Sequence, residues 1–207
     1  MRSIRNRLAL LFAAITAGSI AVVYFYVVPQ LETRLRNEKL DSLAADTRVY
    51  TEALSRAVGS RLPKAVLDRE VRQAANRSSA RVTLLDVSRG TEGIRVSPIT
   101  DSTGGPNLGD LQFQLALQAI AEKRTVTGTE ASSTGHLGQA AKPIFFQGRV
   151  ARVVVFSSPL SDVSDNVAII RRQILVAGAI ALVLAVLAGY LVARALSIRI
   201  KRLERAA

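Results

Sequence analysis

Two stretches without a charged residue constrain this chain before anything else does. Leu8 to Val28 is 21 residues long and Ile174 to Ala193 is 20. At about 1.5 Å per helical residue each covers roughly 30 Å, the hydrocarbon thickness of a bilayer. A backbone in hydrocarbon must satisfy its N–H and C=O groups internally, so both stretches are expected to be helices. Arg171 and Arg172 precede the second stretch, and Arg194, Arg199, Lys201, Arg202 and Arg205 follow it. Tyr24, Phe25 and Tyr26 close the first, where an interfacial aromatic belt belongs. The first run is longer than the apolar part of a signal peptide and ends in large side chains, so an uncleaved anchor is expected. Ala14 and Gly18 have the small-residue spacing that lets helices approach closely.

These spans divide the 207 residues into a basic lead 1–7, a first span 8–28, a middle domain 29–173, a second span 174–193 and a basic tail 194–207. The net charge is +12. The middle domain holds 20 basic and 15 acidic residues, so the rest of the excess sits in the short segments outside it. Such a layout fits Lys and Arg retained on the inner side of a membrane, with both termini cytoplasmic, better than a nucleic-acid surface. The expected location is therefore the inner or plasma membrane, multi-pass, with the lipid bilayer as a partner and nucleic acid not. The 145 residues of the middle domain are enough for a core of their own. There is no Cys, which excludes disulfides, thiol chemistry and Cys-ligated metal.

The middle domain opens with helix formers. From Pro29 to Ser60, Leu40, Leu43, Thr47, Tyr50, Leu54 and Ala57 recur at alternating steps of three and four, an a/d stripe that suits either the domain's own core or a dimer seam. Gly59 and Pro63 end that helix. A shorter helix is expected over 63–79, with Val66, Leu67, Val71 and Ala74 or Ala75 on one side. Arg81-Val-Thr-Leu-Leu-Asp-Val87 reads as a strand, Ser88 to Gly93 as a turn, and Ile94 to Val96 as a short second strand. Thr100 to Gly109 is loop-like. Leu108 to Lys123 returns to helical period. Thr125 to Ala131 alternates like a strand, and Leu137 to Phe146 does so with an interruption at Pro143. Gln147-Gly148 is a turn leading to Val150-Ala-Arg-Val-Val-Val-Phe156, the best strand in the chain. Ser158-Pro159 looks like an N-cap with Pro at the first helical position, after which one helix is expected to run to the end.

Chemistry-bearing residues are sparse. His136 is the single His, so no imidazole cluster for a metal exists, and no metal or other cofactor is expected. Ser132, Ser133 and Thr134 lie near His136, but no GxSxG elbow supports a hydrolase. No catalytic residue is assigned. Arg95, Lys142, Arg149 and Arg152 lie on or near expected strands and suit an anionic ligand such as a carboxylate, with Asp86 and Asp101 as polar lining. The bland alternatives are solvent-facing alternation and strand-end turn chemistry. The candidate ligand set is Arg95, Asp101, Lys142, Arg149 and Arg152.

In this order the pieces resemble the sensory half of bacterial transmembrane sensor histidine kinases. Arg81-Val-Thr-Leu-Leu-Asp86 resembles the first central strand of their PAS-like, Cache-type extracytoplasmic sensors, and Asp101-Ser102 the Asp-Ser pair that follows the next strand. Ala140 to Phe156 resembles the closing hairpin, and Ser158-Pro-Leu160 the step into the second span. Arg194 to Ala207 resembles the first helix of a HAMP linker, with Arg199 where that helix usually has Pro. The resemblance implies an α+β membrane protein, with two transmembrane helices flanking a domain made of a long N-terminal helix and a central antiparallel sheet. It implies a homodimer that passes an extracytoplasmic stimulus through the second span to a HAMP linker and a two-component kinase, and thence to a response regulator. The phosphoaccepting His helix and ATP lid of such a kinase do not occur in these residues, so they cannot transfer phosphate themselves, and the resemblance implies a longer parent that is a protein histidine kinase. A chemoreceptor or cyclase would share this front half, and a non-signalling envelope scaffold is the alternative of another class. A topology reporter fused at Gly104 is expected to read outside the cytoplasm; a cytoplasmic reading there would remove the two-span topology.

Overall fold

The computed structural model describes residues 4–59, 63–91, 93–104, 113–132 and 135–204. Leu108 to Gln112 of the expected fourth helix, and Ser133 and Thr134, lie outside them, as do the side chains beyond Val192. The chain forms two compact units, one of residues up to Thr33 together with those from Ser164, the other Arg34–Val163.

In the first unit, helix α1 (Ile4–Val22) leads through a five-residue π-helical segment, Val23–Val27, into α2 (Val28–Gly59). The π segment has a local cause. Pro29 has no N–H to donate and its ring crowds the preceding turn, so the ladder opens by one residue just before it. The Val28 N–H reaches back to the Val23 carbonyl, the five-residue step that defines the segment. The other long helix, α5, runs Ser161–Glu204. Both this helix and the α1–α2 run contain stretches long and apolar enough to cross a membrane. Their large side chains are turned outward, Phe25 being 76% and Leu187 52% exposed. Within the unit Val28 and Val167 are buried, and the Ile20 side chain lies 3.0 Å from where a Cβ on Gly178 would stand. Gly178 thus marks a close approach of the two helices. Arg171 donates to Glu32 at 3.2 Å.

The second unit is built on a five-stranded sheet in the order β2-β1-β5-β4-β3, every neighbouring pair antiparallel. The strands are β1 (Arg81–Gly90), β2 (Gly93–Asp101), β3 (Val126–Ser132), β4 (Gly135–Phe146) and β5 (Arg149–Pro159). Two further helices, α3 (Lys64–Ser78) and α4 (Gln114–Glu122), complete it.

The two-residue periodicity of β1 and β5 loads both faces. Val82, Leu84, Val154 and Phe156 join Ala140 and Ile144 under Leu43 and Leu54 of α2 and Leu67 and Val71 of α3. Leu85, Val153 and Val155 point the other way, against Ala116, Ala119 and Ile120 of α4. Strands buried on both faces read as continuous apolar runs, which is how Val153-Val-Val-Phe156 reads. The α2 stripe is accordingly taken up by the domain's own core. Leu43, Thr47, Thr51 and Leu54 are buried, and Tyr50 stacks on Phe156 at 6.4 Å.

Several local expectations shift. The first hairpin turns in fewer residues than Ser88–Gly93, because β1 and β2 pair out to Gly90 and Gly93. Pro98 is tolerated because β2 is an edge strand, and a register shift lies beside its partner Leu85. Pro143 does not interrupt β4. Pairing with β3 ends at Ala141, so a residue without an N–H costs no ladder bond on that side. Gln147 (φ 50°) and Gly148 (φ 76°) both have positive φ, the type I′ turn whose twist matches the flanking strands. Ser158 and Pro159 do not start a helix. They pair with Gly138 and Leu137, and the helix begins at Ser161 after the Leu160 N–H has bonded the His136 carbonyl.

Because Phe156 is wholly buried between α2 and the sheet, Phe156→Ala is expected to destabilise the folded middle unit by about 3–5 kcal/mol, and Phe156→Leu by clearly less. Chemical denaturation of the full chain followed by Tyr fluorescence checks both values.

Candidate functional site

The sheet face that carries α4 is apolar only in part. Register places Gly128, Gln139, Ser157 and Arg81 side by side across β3, β4, β5 and β1. Glu130 lies two residues along β3 from Gly128, and Asp101 of β2 stands opposite Thr83. All belong to the same face as Ala141, Val155 and Leu85, by the alternation of side chains along each strand. A band of polar groups therefore crosses the sheet from one edge to the other, beside the apolar patch that α4 covers. Gly128 lets α4 come close here, since a Cβ would stand 3.0 Å from Leu115.

The two ends of the band differ in how well they are satisfied. At the β2 end, the Asp101 carboxylate accepts Arg81 Nε at 3.0 Å, the Thr83 hydroxyl at 2.5 Å, the Thr103 N–H at 2.9 Å and the Thr103 hydroxyl. Burial alone would push this carboxyl up, but the hydrogen bonds from Thr103, Thr83 and Arg81 outweigh it and hold the pKa below the ordinary aspartate value. Ser102 closes the same corner, exchanging hydrogen bonds with the Val82 backbone at 2.9 and 3.0 Å. Asp101 thus fastens the start of the β2–α4 connection to the sheet, with its lone pairs already occupied.

At the β3 end, Glu130 Oε1 accepts the Leu115 N–H at 2.6 Å, while Oε2 is buried without a hydrogen-bond partner among the described residues. Neither polar atom of the Gln139 amide has a partner there, although Gln139 is only 1% exposed. Burial raises the Glu130 pKa. The Leu115 amide works against it, as does the Gln139 amide, which is close by but outside hydrogen-bonding geometry. Buried polar groups are nearly always paired, so adjacent unpaired donors and acceptors mark a place built for a polar solute or water.

The residues expected from sequence to hold a ligand are not gathered into one site. Asp101 belongs to the band just described. Lys142 and Arg152 sit on the opposite face, because their cross-strand partners Val154 and Ile144 belong to the core under α2 and α3. Arg95 is exposed on the edge strand β2, and Arg149 is exposed at the hairpin that opens β5. Asp86 is paired across the sheet with Arg152, the carboxylate 3.8 Å from its Nε. His136 is exposed at the β3–β4 end. Among the described residues no group of acids and His could hold a metal. Glu130 and Gln139 were not anticipated. Glu130 is hidden in an alternating strand where a carboxylate reads as solvent-facing, and Gln139 adjoins small residues that give no directional signal. An apolar groove of about 480 Å³ between α1 and α5, lined by Ile20, Tyr24, Leu175 and Leu182, offers only a tyrosine hydroxyl and suits no polar solute.

No family model matches the chain, and no curated protein matches it in sequence. Solved structures similar to it include the ligand-binding domain of the Pseudomonas aeruginosa PAO1 amino acid chemoreceptor PctC in complex with GABA. There the identity is 14% and the TM-score 0.45, over 62% of this chain and 62% of that one. The V. cholerae histidine kinase DctB sensor domain is 14% identical with a TM-score of 0.40, over 69% of this chain and 59% of that one. The ligand-binding domain of Mlp24 with asparagine is 14% identical with a TM-score of 0.43, over 77% and 62%. The match spans less than two thirds of each of these structures. These neighbours are ligand-binding sensor domains of chemoreceptors and histidine kinases. The likeness assigns no ligand to this chain.

The two carboxylates of the band should respond oppositely to pH. Asp101 has a lowered folded pKa, so its stabilisation is present above the ordinary aspartate value and is lost as pH falls through the folded one. Asp101→Asn is expected to cost about 2 kcal/mol at pH 7, with the gap to the parent closing on acidification. Glu130 has a raised folded pKa, so the parent loses stability as pH rises from the ordinary glutamate value through the folded one. Glu130→Gln should therefore gain on the parent as pH rises from 4 toward 8 and keep the Leu115 hydrogen bond. Thermal melts of the full chain across that range check both signs.

Proposed function

We propose that this chain is the sensing region of a membrane receptor, in which the α4 face of the sheet binds a small extracytoplasmic molecule. The observation that carries the reading is the buried Glu130 Oε2 and Gln139 amide of the polar band, which have no hydrogen-bond partner among the described residues. Glu130 lacks a donor on one oxygen, and Gln139 offers both a donor and an acceptor. A ligand presenting an ammonium or amide N–H to Glu130, and a second polar group to Gln139, satisfies both. Ammonium binding would also restore the charged carboxylate that burial disfavours. The sensor domains of similar fold were solved with GABA and with asparagine, both of which carry an amino group.

Transmission follows the covalent path. Ser157 lies in the band on β5; β5 ends at Pro159, and α5 starts at Ser161 and continues unbroken to Glu204. A change at β5 enters that helix within a few residues. In this reading 29–173 is the outer domain, 8–28 and 174–193 are the spans, and both ends of the chain are cytoplasmic. Residues 194–207 begin a HAMP linker to a kinase that works through a response regulator in a homodimer. Support comes from the helix continuing past the second apolar stretch and from the basic residues that follow it. A chemoreceptor output is equally compatible with this front half. A ligand can bias such a receptor only by its difference in affinity for two arrangements of these elements.

The test is a thermal-shift titration of the full chain in lipid nanodiscs against a panel of L-amino acids and simple primary amines. At least one member is expected to raise Tm in a saturable way, by an amount that corresponds to about 2.7 kcal/mol at a hundredfold excess over Kd. Glu130→Gln and Gln139→Leu should each remove the response while leaving the protein folded. A panel without any response, or one that survives both substitutions, would overturn the proposal.

A further inference from the structure

The opposite face of the sheet carries a second set of charges that this reading does not use. Lys142 and Arg152 both belong to the α2 and α3 face, and their registers, opposite Val154 and Ile144, make them diagonal neighbours on adjacent strands. Such neighbours have Cβ atoms within about 7–8 Å, close enough for two long side chains to grip one small group. Arg152 is half-buried, its Nη1 is buried with no hydrogen-bond partner, and its closest acid, Asp86, is 3.8 Å from Nε and itself half exposed. Lys142 forms no ion pair within 4 Å among the described residues. Burial pushes its pKa down, nearby Arg48 of α2 does the same, and Glu52 only partly compensates. These cations are held partly out of water with acids, Asp86 and Glu52, that offset them only in part, and a guanidinium with an unpaired N–H suits a planar or tetrahedral oxyanion.

We propose that Lys142 and Arg152, with Arg48 of α2 above them, form a binding site for a small oxyanion of the carboxylate or phosphate class, separate from the Glu130–Gln139 site. The site joins β4 and β5 to α2, so its occupant would tie the sheet to the long helix that leads toward the first apolar stretch. Asp86 competes with the anion for Arg152.

The full chain in nanodiscs of zwitterionic lipid, which removes anionic headgroups as a source, is titrated separately with sulfate and with succinate. Chloride at matched ionic strength is the reference. Low millimolar concentrations keep the general strengthening of burial by sulfate out of the readout. At least one of the two anions is expected to raise Tm saturably. Lys142→Met and Arg152→Met should each weaken apparent affinity roughly tenfold, one hydrogen-bonded charge's worth. Asp86→Asn should tighten it, and Glu130→Gln should leave it unchanged, which separates this site from the other. Lys142→Met removes a half-buried charge and should fold at least as well as the parent, so its loss of response cannot be blamed on unfolding. Sulfate and succinate both indistinguishable from chloride, or a response that persists in both Met variants, would overturn the site. An Asp86→Asn variant that binds no more tightly would overturn the part given to Arg152.

Discussion

The central strands β1, β5 and β4 are buried on both faces, and most of the middle unit follows from having to cover them. A sheet that is apolar on both sides needs a layer of helix on each. On one side α2 and α3 supply it, with Leu43, Leu54, Leu67 and Val71 over Leu84, Val154 and Phe156. On the other, α4 is only nine residues long. A helix of that length spans roughly 14 Å; it covers the apolar patch around Leu85, Val153 and Val155 and touches the polar row at Gly128 and Glu130.

Within that row the same physics gives two carboxylates opposite characters. Asp101 sits where β2 turns into the connection to α4, so backbone and hydroxyl donors converge on it and Arg81 of β1 reaches it too. Glu130 sits on the other edge strand, where the Leu115 N–H reaches Oε1 and Oε2 has no partner among the described residues. One is a saturated fastening that keeps its charge, and the other a buried group short of donors. Function is better sought at the second, because a group with open hydrogen-bonding capacity has free energy left to gain from a ligand, whereas a saturated one must first lose partners.

The two long helices obey a stricter rule. Where large side chains face outward along a helix, hydrocarbon is the solvent they fit, and backbone hydrogen bonds must close within the helix. The π segment at Val23–Val27 respects this, since it absorbs the missing donor of Pro29 by lengthening the hydrogen-bond step and not by breaking the helix. The close approach at Gly178 and the Glu32–Arg171 pair hold α1, the start of α2 and α5 together within that unit. A pair this exposed contributes little stability by itself, so its value lies in register.

What the amino-acid order determined alone is local or one-dimensional. Uncharged runs of 20 and 21 residues specify helices long and apolar enough to cross a membrane, through backbone hydrogen bonding. Val153 to Phe156 specify a strand buried on both faces, and Gln147-Gly148 a tight hairpin through positive φ. These could be read because each depends on residues close together in the chain. Tertiary structure decided what depends on distant neighbours. It turned the heptad-like stripe of α2 onto the domain's own core. It ran β5 on through Ser158 and Pro159, because β4 was there to pair with them. It set the candidate ligand residues apart, with Asp101 on one face of the sheet and Lys142 and Arg152 on the other, and it left Glu130 Oε2 and the Gln139 amide, ordinary in sequence, buried without a hydrogen-bond partner among the described residues. Strand order and register set which side chains share a face, and pairing between segments dozens of residues apart is not encoded in the periodicity of either one.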